Sequence, residues 1–323
     1  MLQVERESYG PVLIADVGGT TSRFAVSVGE RPQDLVTICN DTVASLEDAI
    51  ADYLGRVPVR PRTAVLAVAG PVEGEEVALT NRRWRFRASE VAARFGFAKI
   101  RIINDFEALA WALLGLEPHE SRLIGPACEA GKGTRVVLGP GTGLGVAALV
   151  PAGGGWAAVA SEGGHACLGA LSAEEHAVLE QVRRDCGIAS AEAVLSGPGL
   201  VRLYRTLSGD TATARSEDVL ERARAGEADA RAAAALFVRL LGRFAGDVAL
   251  MFKATGGVYL AGGVAVALGP LLDEAAFRAA FEAHPPYESL LARIPTRLLA
   301  CREPGLLGCA ALVEQFVTTG REI

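Results

Sequence analysis

The fold is decided by one stretch near the start of the sequence, Pro11-Val12-Leu13-Ile14-Ala15-Asp16-Val17-Gly18-Gly19-Thr20-Thr21-Ser22-Arg23-Phe24-Ala25-Val26-Ser27-Val28. Its first part is almost wholly apolar and residues 23–28 alternate with period two, so two β-strands are predicted, joined by a tight glycine turn. Such a turn is more often only a hairpin connection. It can also bring backbone amides close to a phosphate, and the acidic Asp16 beside it favours that alternative because Mg²⁺ takes carboxylate ligands.

The same arrangement occurs a second time. Residues 134–138 predict a strand, Gly139-Pro140-Gly141-Thr142-Gly143 a glycine turn, and residues 144–150 another strand. Repetition of this unit predicts two similar α/β lobes, each offering a phosphate loop to a shared cleft. Both turns join strand to strand, so neither is a Walker loop. The second also lacks the spacing of the dinucleotide fingerprint, which argues against a Rossmann dehydrogenase.

A short run of β-branched residues, Ile102-Ile103, stops at Asn104-Asp105 before a helical pattern begins. Residues just beyond the carboxyl end of a strand face the crevice of an α/β sheet. Either polar residue could cap the following helix, which is the commoner use of such a residue. The other interpretation, which the rest of the chain favours, is that Asp105 is a catalytic base.

Three further places could bind a ligand. Ser161-Glu162-Gly163-Gly164-His165 is a compact cluster of acid, glycine and histidine, where His165 serves either a structural hydrogen bond or, with Glu162, sugar hydroxyls. Glu192 by itself is an acid in a first helical turn. Gly262-Gly263 follows a buried strand and is either a simple turn or a flat surface for a base or ribose.

Size and composition limit the class of protein. The chain has 323 residues, which suggests two domains, and 50% apolar residues with 37 glycines, which suits an α/β protein. A net charge of −6 argues against a nucleic-acid surface. No apolar run suggests a signal core or a membrane span, so a cytoplasmic protein is expected. The six cysteines are scattered without ligand spacing and are expected to be reduced core thiols.

Breaks in periodicity near Gly115 and Gly125 predict a domain boundary. We predict a smaller α/β lobe of residues 1–115 plus 306–323 and a larger α/β lobe of residues 116–305. The apolar face of the terminal helix is expected to close onto the first lobe.

Taken together, the motifs resemble those of the bacterial glucokinase family over nearly the whole chain. They are Asp16-Val17-Gly18-Gly19-Thr20, Ile103-Asn104-Asp105-Phe106-Glu107-Ala108, Leu138-Gly139-Pro140-Gly141-Thr142-Gly143-Leu144-Gly145, Ser161-Glu162-Gly163-Gly164-His165, Leu195-Ser196-Gly197-Pro198-Gly199-Leu200 and Ala261-Gly262-Gly263. Each would be weak evidence alone, whereas their order and identity are specific. The resemblance implies a two-lobed actin-like ATPase (ribonuclease H-like) fold with an interlobe cleft, commonly a homodimer, and phosphorylation of D-glucose with ATP and Mg²⁺ as the first step of glycolysis.

The resemblance also assigns roles by position. Asp105 matches the base, which is itself among the sugar ligands, and Asp16 matches a magnesium ligand acting through water. The other sugar-hydroxyl ligands are Asn104, Glu162, His165 and Glu192. The nucleotide residues are Asp16, Gly18, Gly19 and Thr20 in the first phosphate loop, Gly139, Gly141, Thr142 and Gly143 in the second, and Gly262 and Gly263 for adenosine.

One departure and two alternatives stay open. Thr21 stands where the family often has asparagine, which we expect to alter loop packing rather than activity. The chain could be a kinase for another hexose, although Gly164-His165-Ala166-Cys167-Leu168 lacks the clustered zinc motif usual in the repressor, open reading frame and kinase group. It could also be a sugar-sensing regulator without turnover, although no basic helix-turn-helix segment is evident.

Overall fold

Alternating strands and helices make up the chain in a computed structural model, which describes residues 10–28, 31–80 and 82–319. The strands in this part of the chain are β1 (Val12–Val17), β2 (Thr21–Ser27), β3 (Gln33–Cys39), β4 (Thr63–Val68), β5 (Glu76–Ala78), β6 (Arg85–Arg87), β7 (Lys99–Asn104), β8 (Ser121–Ile124), β9 (Arg135–Pro140), β10 (Leu144–Ala152), β11 (Gly155–Ser161), β12 (Gly257–Leu260) and β13 (Thr296–Leu299). The helices are α1 (Leu46–Arg56), α2 (Ala88–Phe95), α3 (Asp105–Ala112), α4 (Ala173–Cys186), α5 (Ala191–Val194), α6 (Gly197–Ser208), α7 (Ser216–Ala225), α8 (Ala228–Phe252), α9 (Gly263–Leu268), α10 (Glu274–Glu282), α11 (Glu288–Leu291) and α12 (Pro304–Thr319).

The first sheet has five strands in the order β3-β2-β1-β4-β7. The two strands of the glycine-turn hairpin, β1 and β2, are antiparallel, whereas β4 is parallel to both β1 and β7. Register places Asp16 beside Ala67, and Ala67 beside Ile103. Asp16, near the end of β1, and Asp105, directly after β7, therefore lie at the same edge of this sheet.

The second sheet has six strands in the order β11-β10-β9-β12-β13-β8. Its hairpin of β9 and β10 is antiparallel, and β12 is parallel to both β9 and β13. Its first five strands thus repeat the order of the first sheet, and β10, β9, β12 and β13 repeat the directions of β2, β1, β4 and β7. The predicted duplication of a strand, a glycine turn and a strand is confirmed, as is the actin-like ATPase fold.

Apolar runs in the sequence account for the central strands. Within β1 and β4, all residues except Asp16 and Thr63 are buried, as expected for strands covered on both faces. The long helix α8 buries Leu236, Leu240, Phe244 and Val248, which recur every fourth residue, so this apolar stripe is core.

Contacts divide the described chain into two compact units. The first comprises the residues up to Leu116, residues 151–159 and the residues from Cys301 onward, and the second comprises residues 117–150 and 160–300. Within the first unit, α12 packs against α3 and β1, as the apolar face of the terminal helix suggested. The predicted lobes, 1–115 plus 306–323 and 116–305, stay a prediction, and residues 1–9 and 320–323 of the smaller lobe lie outside the described residues.

The prediction of core thiols is wrong for most of the cysteines. Only Cys309 is buried, with its thiol against the Ala15 carbonyl, whereas Cys39, Cys167 and Cys186 are exposed. All six cysteines are free, but their spacing in the sequence carries no information on which face of an element they occupy. None of the described helices is both long enough and apolar enough to span a membrane.

Candidate active site

Asn104 ends β7 and is the N-cap residue of α3. Its side-chain oxygen accepts hydrogen bonds from the backbone amides of Phe106 (2.9 Å) and Glu107 (3.3 Å), and its Nδ2 donates to the Gly70 carbonyl at 3.1 Å. The capping role that the sequence left open therefore belongs to Asn104. The Asn104 side chain also forms a hydrogen bond that lowers the pKa of Asp105.

Asp105 is the first residue of α3 and is half-buried. Its Oδ1 accepts from the Phe106 amide at 2.9 Å. Burial raises the pKa of Asp105 to about 6, opposed by the Phe106 hydrogen bond and assisted by the negative charge of Asp16. A carboxyl with a pKa near neutrality suits proton transfer from a hydroxyl better than an ordinary carboxyl does.

Asp16 lies near the end of β1, and its carboxylate lies between Arg23 of β2 and the start of α12. Arg23 contacts it at 3.6 Å and also pairs with Glu303 at 2.8 Å, just before α12 begins. A side chain at Gly305 would lie 2.7 Å from the Asp16 carboxyl carbon, so the helix start packs directly on it. Burial raises the pKa of Asp16, while the nearby Arg23 charge lowers it.

The first glycine turn, between β1 and β2, has its carbonyl groups engaged. Asn40 donates from Nδ2 to the carbonyls of Gly18 and Gly19, and from its backbone amide to that of Thr20. Among residues 10–28, 31–80 and 82–319, no acceptor is found for the amides of Gly19 and Thr20. Free amides on a tight turn suit an anionic ligand.

The second glycine turn, between β9 and β10, is closed by a hydrogen bond from the Gly141 amide to the Gly143 carbonyl at 2.8 Å. The Gly197 amide, at the start of α6, donates to the Gly141 carbonyl at 2.7 Å. Of the predicted residues here, Gly141 and Thr142 line a cavity. Gly139 instead pairs with Gly145 inside the sheet and is buried.

The three predicted sugar ligands of the second unit lie together. His165 Nε2 lies 3.9 Å from Glu162 Oε2 and 4.0 Å from Glu192 Oε1, both longer than a hydrogen bond. Glu162 and His165 are exposed. A side chain at Gly164 would overlap the Leu144 carbonyl, so only glycine lets this segment approach the start of β10. The arrangement offers two carboxylates and one imidazole to hydroxyl groups.

A cavity of about 580 Å³ lies beside the second glycine turn. Gly263 is in its wall, and the neighbouring Gly262 has a φ of 84° and approaches the Pro140 carbonyl so closely that a Cβ would lie 2.5 Å away. Its volume is within the range of small-molecule sites. The cavity is lined by Gly141, Thr142, Gly197, Pro198, Val201, Arg202, Arg205, Ala214, Arg215, Ser216, Glu217, Gly263 and Val264.

Most of the side chains in this wall were missed in the sequence. The Gly197-Pro198 pair belonged to a quoted motif, and it begins α6. Arg202 and Arg205 are the sixth and ninth residues of the same helix, and Arg205 Nε donates to the Thr213 carbonyl at 2.8 Å. A spacing of three residues on a helix could have indicated that these two arginines share a face.

Mg²⁺ is the metal that the family resemblance implies. The described residues contain no group of three or more His, Cys, Asp or Glu side chains that could bind a metal ion. Mg²⁺ commonly needs only one or two carboxylates, with water and phosphate oxygens as the other ligands. Asp16 can supply such a carboxylate beside the first glycine turn, so the residues present fit a magnesium ion that is bound mainly through water and nucleotide phosphates.

This chain is similar to known proteins over most of its length. A sequence model of the glucokinase family matches residues 13–316. The chain is 43% identical over 310 residues to a glucokinase of Chelativorans sp. (strain BNC1), covering 93% of this chain and 90% of that protein. It is 38% identical over 319 residues to a glucokinase of Brucella suis biovar 1 (strain 1330), covering 96% of this chain and 93% of that protein.

A solved structure is also similar to this chain. The crystal structure of glucokinase from an Antarctic psychrotroph superposes with a TM-score of 0.86 at 33% identity, covering 94% of this chain and 98% of that chain. The family match spans most of the sequence, and two relatives exceed 30% identity over nearly their whole length. This chain belongs to the glucokinase family.

Proposed function

We propose that this chain is a glucokinase that transfers the γ-phosphoryl group of ATP to the terminal hydroxyl of D-glucose, with Asp105 as the general base. ATP-dependent phosphorylation of glucose follows from membership of the family. The role of Asp105 rests mainly on one observation. Its half-buried carboxyl follows a sheet strand directly, starts α3, and has a pKa raised to about 6.

The chemistry explains the residues required. Phosphoryl transfer depends on positioning and on neutralising charge, so the protein need only align the attacking hydroxyl with the γ-phosphorus. The Asp105 carboxylate would accept the hydroxyl proton as the sugar oxygen bonds to the γ-phosphorus. The bond between the γ-phosphorus and the bridging oxygen would break, and ADP would leave with that oxygen and the electron pair. Above pH 6 most of the Asp105 carboxyl is ionised and can accept that proton.

Glucose recognition would use Asn104, Asp105, Glu162, His165 and Glu192. Carboxylates accept from sugar hydroxyls, and an amide group such as that of Asn104 can donate to one. The clustering of Glu162, His165 and Glu192 supports this proposal. A sugar lacking one hydroxyl would leave a partner unpaired, which is costly and gives selectivity.

The nucleotide would use both glycine turns and the cavity. We propose that the amides of Gly19 and Thr20 contact phosphate oxygens, while Gly18, whose amide donates to the Thr21 carbonyl at 3.0 Å, closes the turn. On the second unit, Gly139, Gly141, Thr142 and Gly143 would form the other phosphate loop, while Gly262, Gly263 and the 580 Å³ cavity would take adenosine. The three arginines of that cavity add positive charge beside a polyanion.

Asp16 would hold Mg²⁺, through water, against the phosphates of ATP. The ion, when bound, would neutralise charge on the β- and γ-phosphates. Removal of divalent cations with EDTA should abolish turnover, and added Mg²⁺ should restore it.

A cytoplasmic location, a place as the first step of glycolysis and a homodimeric assembly complete the proposal. The family resemblance supports all three. Size-exclusion chromatography with light scattering would test the assembly.

A panel of hexoses in an ADP-release assay tests the proposed function. Glucose should give the highest kcat/KM, ahead of mannose and fructose. A different preferred hexose would identify a kinase of another sugar. Glucose binding without ADP release, together with a DNA gel shift, would identify a sugar-sensing regulator instead.

A further inference from the structure

The side chains of Asn40 and Arg82, both distant in sequence from the first glycine turn, bind the carbonyl groups of that turn. Asn40 is fully buried, and its amide oxygen accepts from the Ser22 hydroxyl at 2.7 Å, which fixes its orientation. Its Nδ2 donates to the Gly18 carbonyl at 2.8 Å and to the Gly19 carbonyl at 3.4 Å. The Thr20 carbonyl accepts from the Asn40 backbone amide at 2.8 Å.

Arg82 is the second of these side chains. One guanidinium nitrogen donates to the Gly19 carbonyl at 3.2 Å and to the Asp41 carboxylate at 2.9 Å. The other donates to the backbone carbonyl of Asn40. The guanidinium also lies over the ring of buried Trp84, 4.6 Å from its centroid, so its plane is fixed from a third direction.

The direction of the carbonyls determines the direction of the amides. In a trans peptide unit the carbonyl and the following N–H point in opposite directions. With the carbonyls of Gly18 and Gly19 bound to Asn40 and Arg82, the amides of Gly19 and Thr20 must point away from those side chains. These are the amides for which the described residues provide no acceptor.

We propose that Arg82 is a positioning residue for the phosphate groups of ATP, acting by holding the Gly19 peptide so that the free amides of the turn face the nucleotide. The proposal rests on the proposed function of this turn as a phosphate loop. It predicts that loss of Arg82 weakens binding of the phosphates and leaves binding of the nucleoside unchanged. A purely structural role would lower the stability and weaken both kinds of binding equally.

The chain offers matched variants. Arg82→Met removes both the charge and the hydrogen bonds. Arg82→Lys keeps the charge, but an ammonium group cannot reproduce the planar fork that reaches the Gly19 and Asn40 carbonyls and stacks on Trp84. Asp41→Asn removes the exposed acidic partner of Arg82 and leaves the contacts with the turn in place.

Titration calorimetry with Mg²⁺ and AMPPNP, and separately with adenosine, tests the proposal on the full chain. We expect Arg82→Met to raise the Kd of AMPPNP about tenfold, the scale of one charge-assisted hydrogen bond, with the Kd of adenosine within about twofold. Arg82→Lys should raise the Kd of AMPPNP at least about threefold. Asp41→Asn should match the wild type, because an exposed ion pair contributes little.

An unchanged Kd of AMPPNP in Arg82→Lys, or an equal loss of AMPPNP and adenosine binding, would overturn the proposal. If Arg82→Met does not fold, as judged by its thermal transition, Arg82→Lys decides alone. Failure of the wild type to phosphorylate glucose would contradict the proposed function instead, and it would be seen in the ADP-release assay without any variant.

Discussion

Glu192 Oε2 accepts a hydrogen bond from the backbone amide of Leu144 at 2.8 Å. Leu144 is the first residue after the second glycine turn, and a side chain at the adjacent Gly143 would lie 2.5 Å from the same oxygen. A carboxylate proposed as a sugar ligand is therefore attached to a turn proposed as a phosphate loop. One carboxylate would then serve both substrates, with Oε2 bonded to the turn that binds the nucleotide and Oε1 beside His165 for the sugar.

We predict that Glu192→Gln raises the KM for both glucose and ATP. The amide either loses the charge-assisted bond to Leu144 or presents an N–H to the sugar, and a charge-assisted bond contributes roughly 1.5–3 kcal/mol. Steady-state kinetics with each substrate varied in turn is the measurement. Glu162→Gln is the control, because the exposed Glu162 carboxylate lies beside His165, and it should raise the KM for glucose alone. An unchanged KM for ATP in Glu192→Gln would refute the shared role.

The sequence predicted much of the fold because local patterns determine it. Apolar runs and period-two alternation located β1, β2, β7, β9, β10 and β12. The three-residue strand β5 is too short to carry a comparable pattern. The edge strand β3 is mostly exposed, so no buried face marks it in the sequence.

The site was predictable only where residues adjacent in sequence form it. Asp105 followed from the end of a strand. Arg82 could not be inferred, because its contact with Gly19 joins positions 63 apart and depends on how a loop after β5 folds back. The loop around Thr213, bonded to Arg205 and Asp210, likewise becomes part of the cavity wall only in three dimensions.

The pH dependence of catalysis should show a rising limb near the pKa of Asp105. The base acts when deprotonated, so kcat/KM for glucose should fall about tenfold per pH unit well below pH 6 and level off above it. Initial rates between pH 4.5 and 8 at constant ionic strength give the profile. A limb that persists in the residual activity of Asp105→Ala would assign it to a different group.

Stability should respond to the same pKa in a definite direction. Because the folded pKa of about 6 exceeds the unfolded value, the folded state binds more protons between about pH 4 and pH 6. The contribution of Asp105 to stability is therefore full at low pH and is lost as the pH rises through about 6. We expect Asp105→Asn to raise the free energy of unfolding at pH 7.5 by roughly 2 kcal/mol and to change it little at pH 4.

Urea denaturation at the two pH values measures this difference. Asp210→Asn is the control of opposite sign, because hydrogen bonds from the Thr213 hydroxyl and the Ala212 amide lower the pKa of Asp210 to about 2. That carboxylate contributes stability at neutral pH and loses it as the pH falls towards 2, so its replacement should destabilise at pH 7.5. Destabilisation by Asp105→Asn at pH 7.5 would contradict the burial of an ionised Asp105.

Adjacent glycines distinguish structure from ligand contact at the proposed adenosine segment. Gly262→Ala places a Cβ 2.5 Å from the Pro140 carbonyl at a φ of 84°, so we expect it to lower the free energy of unfolding by at least about 1 kcal/mol. At Gly263 a Cβ meets no atom within 4 Å, so Gly263→Ala should keep the stability. Since Gly263 lines the cavity, the added methyl group should raise the KM for ATP. Thermal melts and ATP kinetics measure both, and equal behaviour of the two variants would refute the assignment.

The account depends most on the carboxylate of Asp105 as the base. The most direct measurement compares Asp105→Ala with the wild type in kcat for ADP release and, by calorimetry, in Kd for glucose. We predict that kcat falls by about three orders of magnitude or more while the Kd for glucose changes by less than about tenfold. A variant that retains kcat would contradict the role of Asp105 as the base. If that variant also loses its affinity for glucose, Asp105 binds the sugar without accepting its proton.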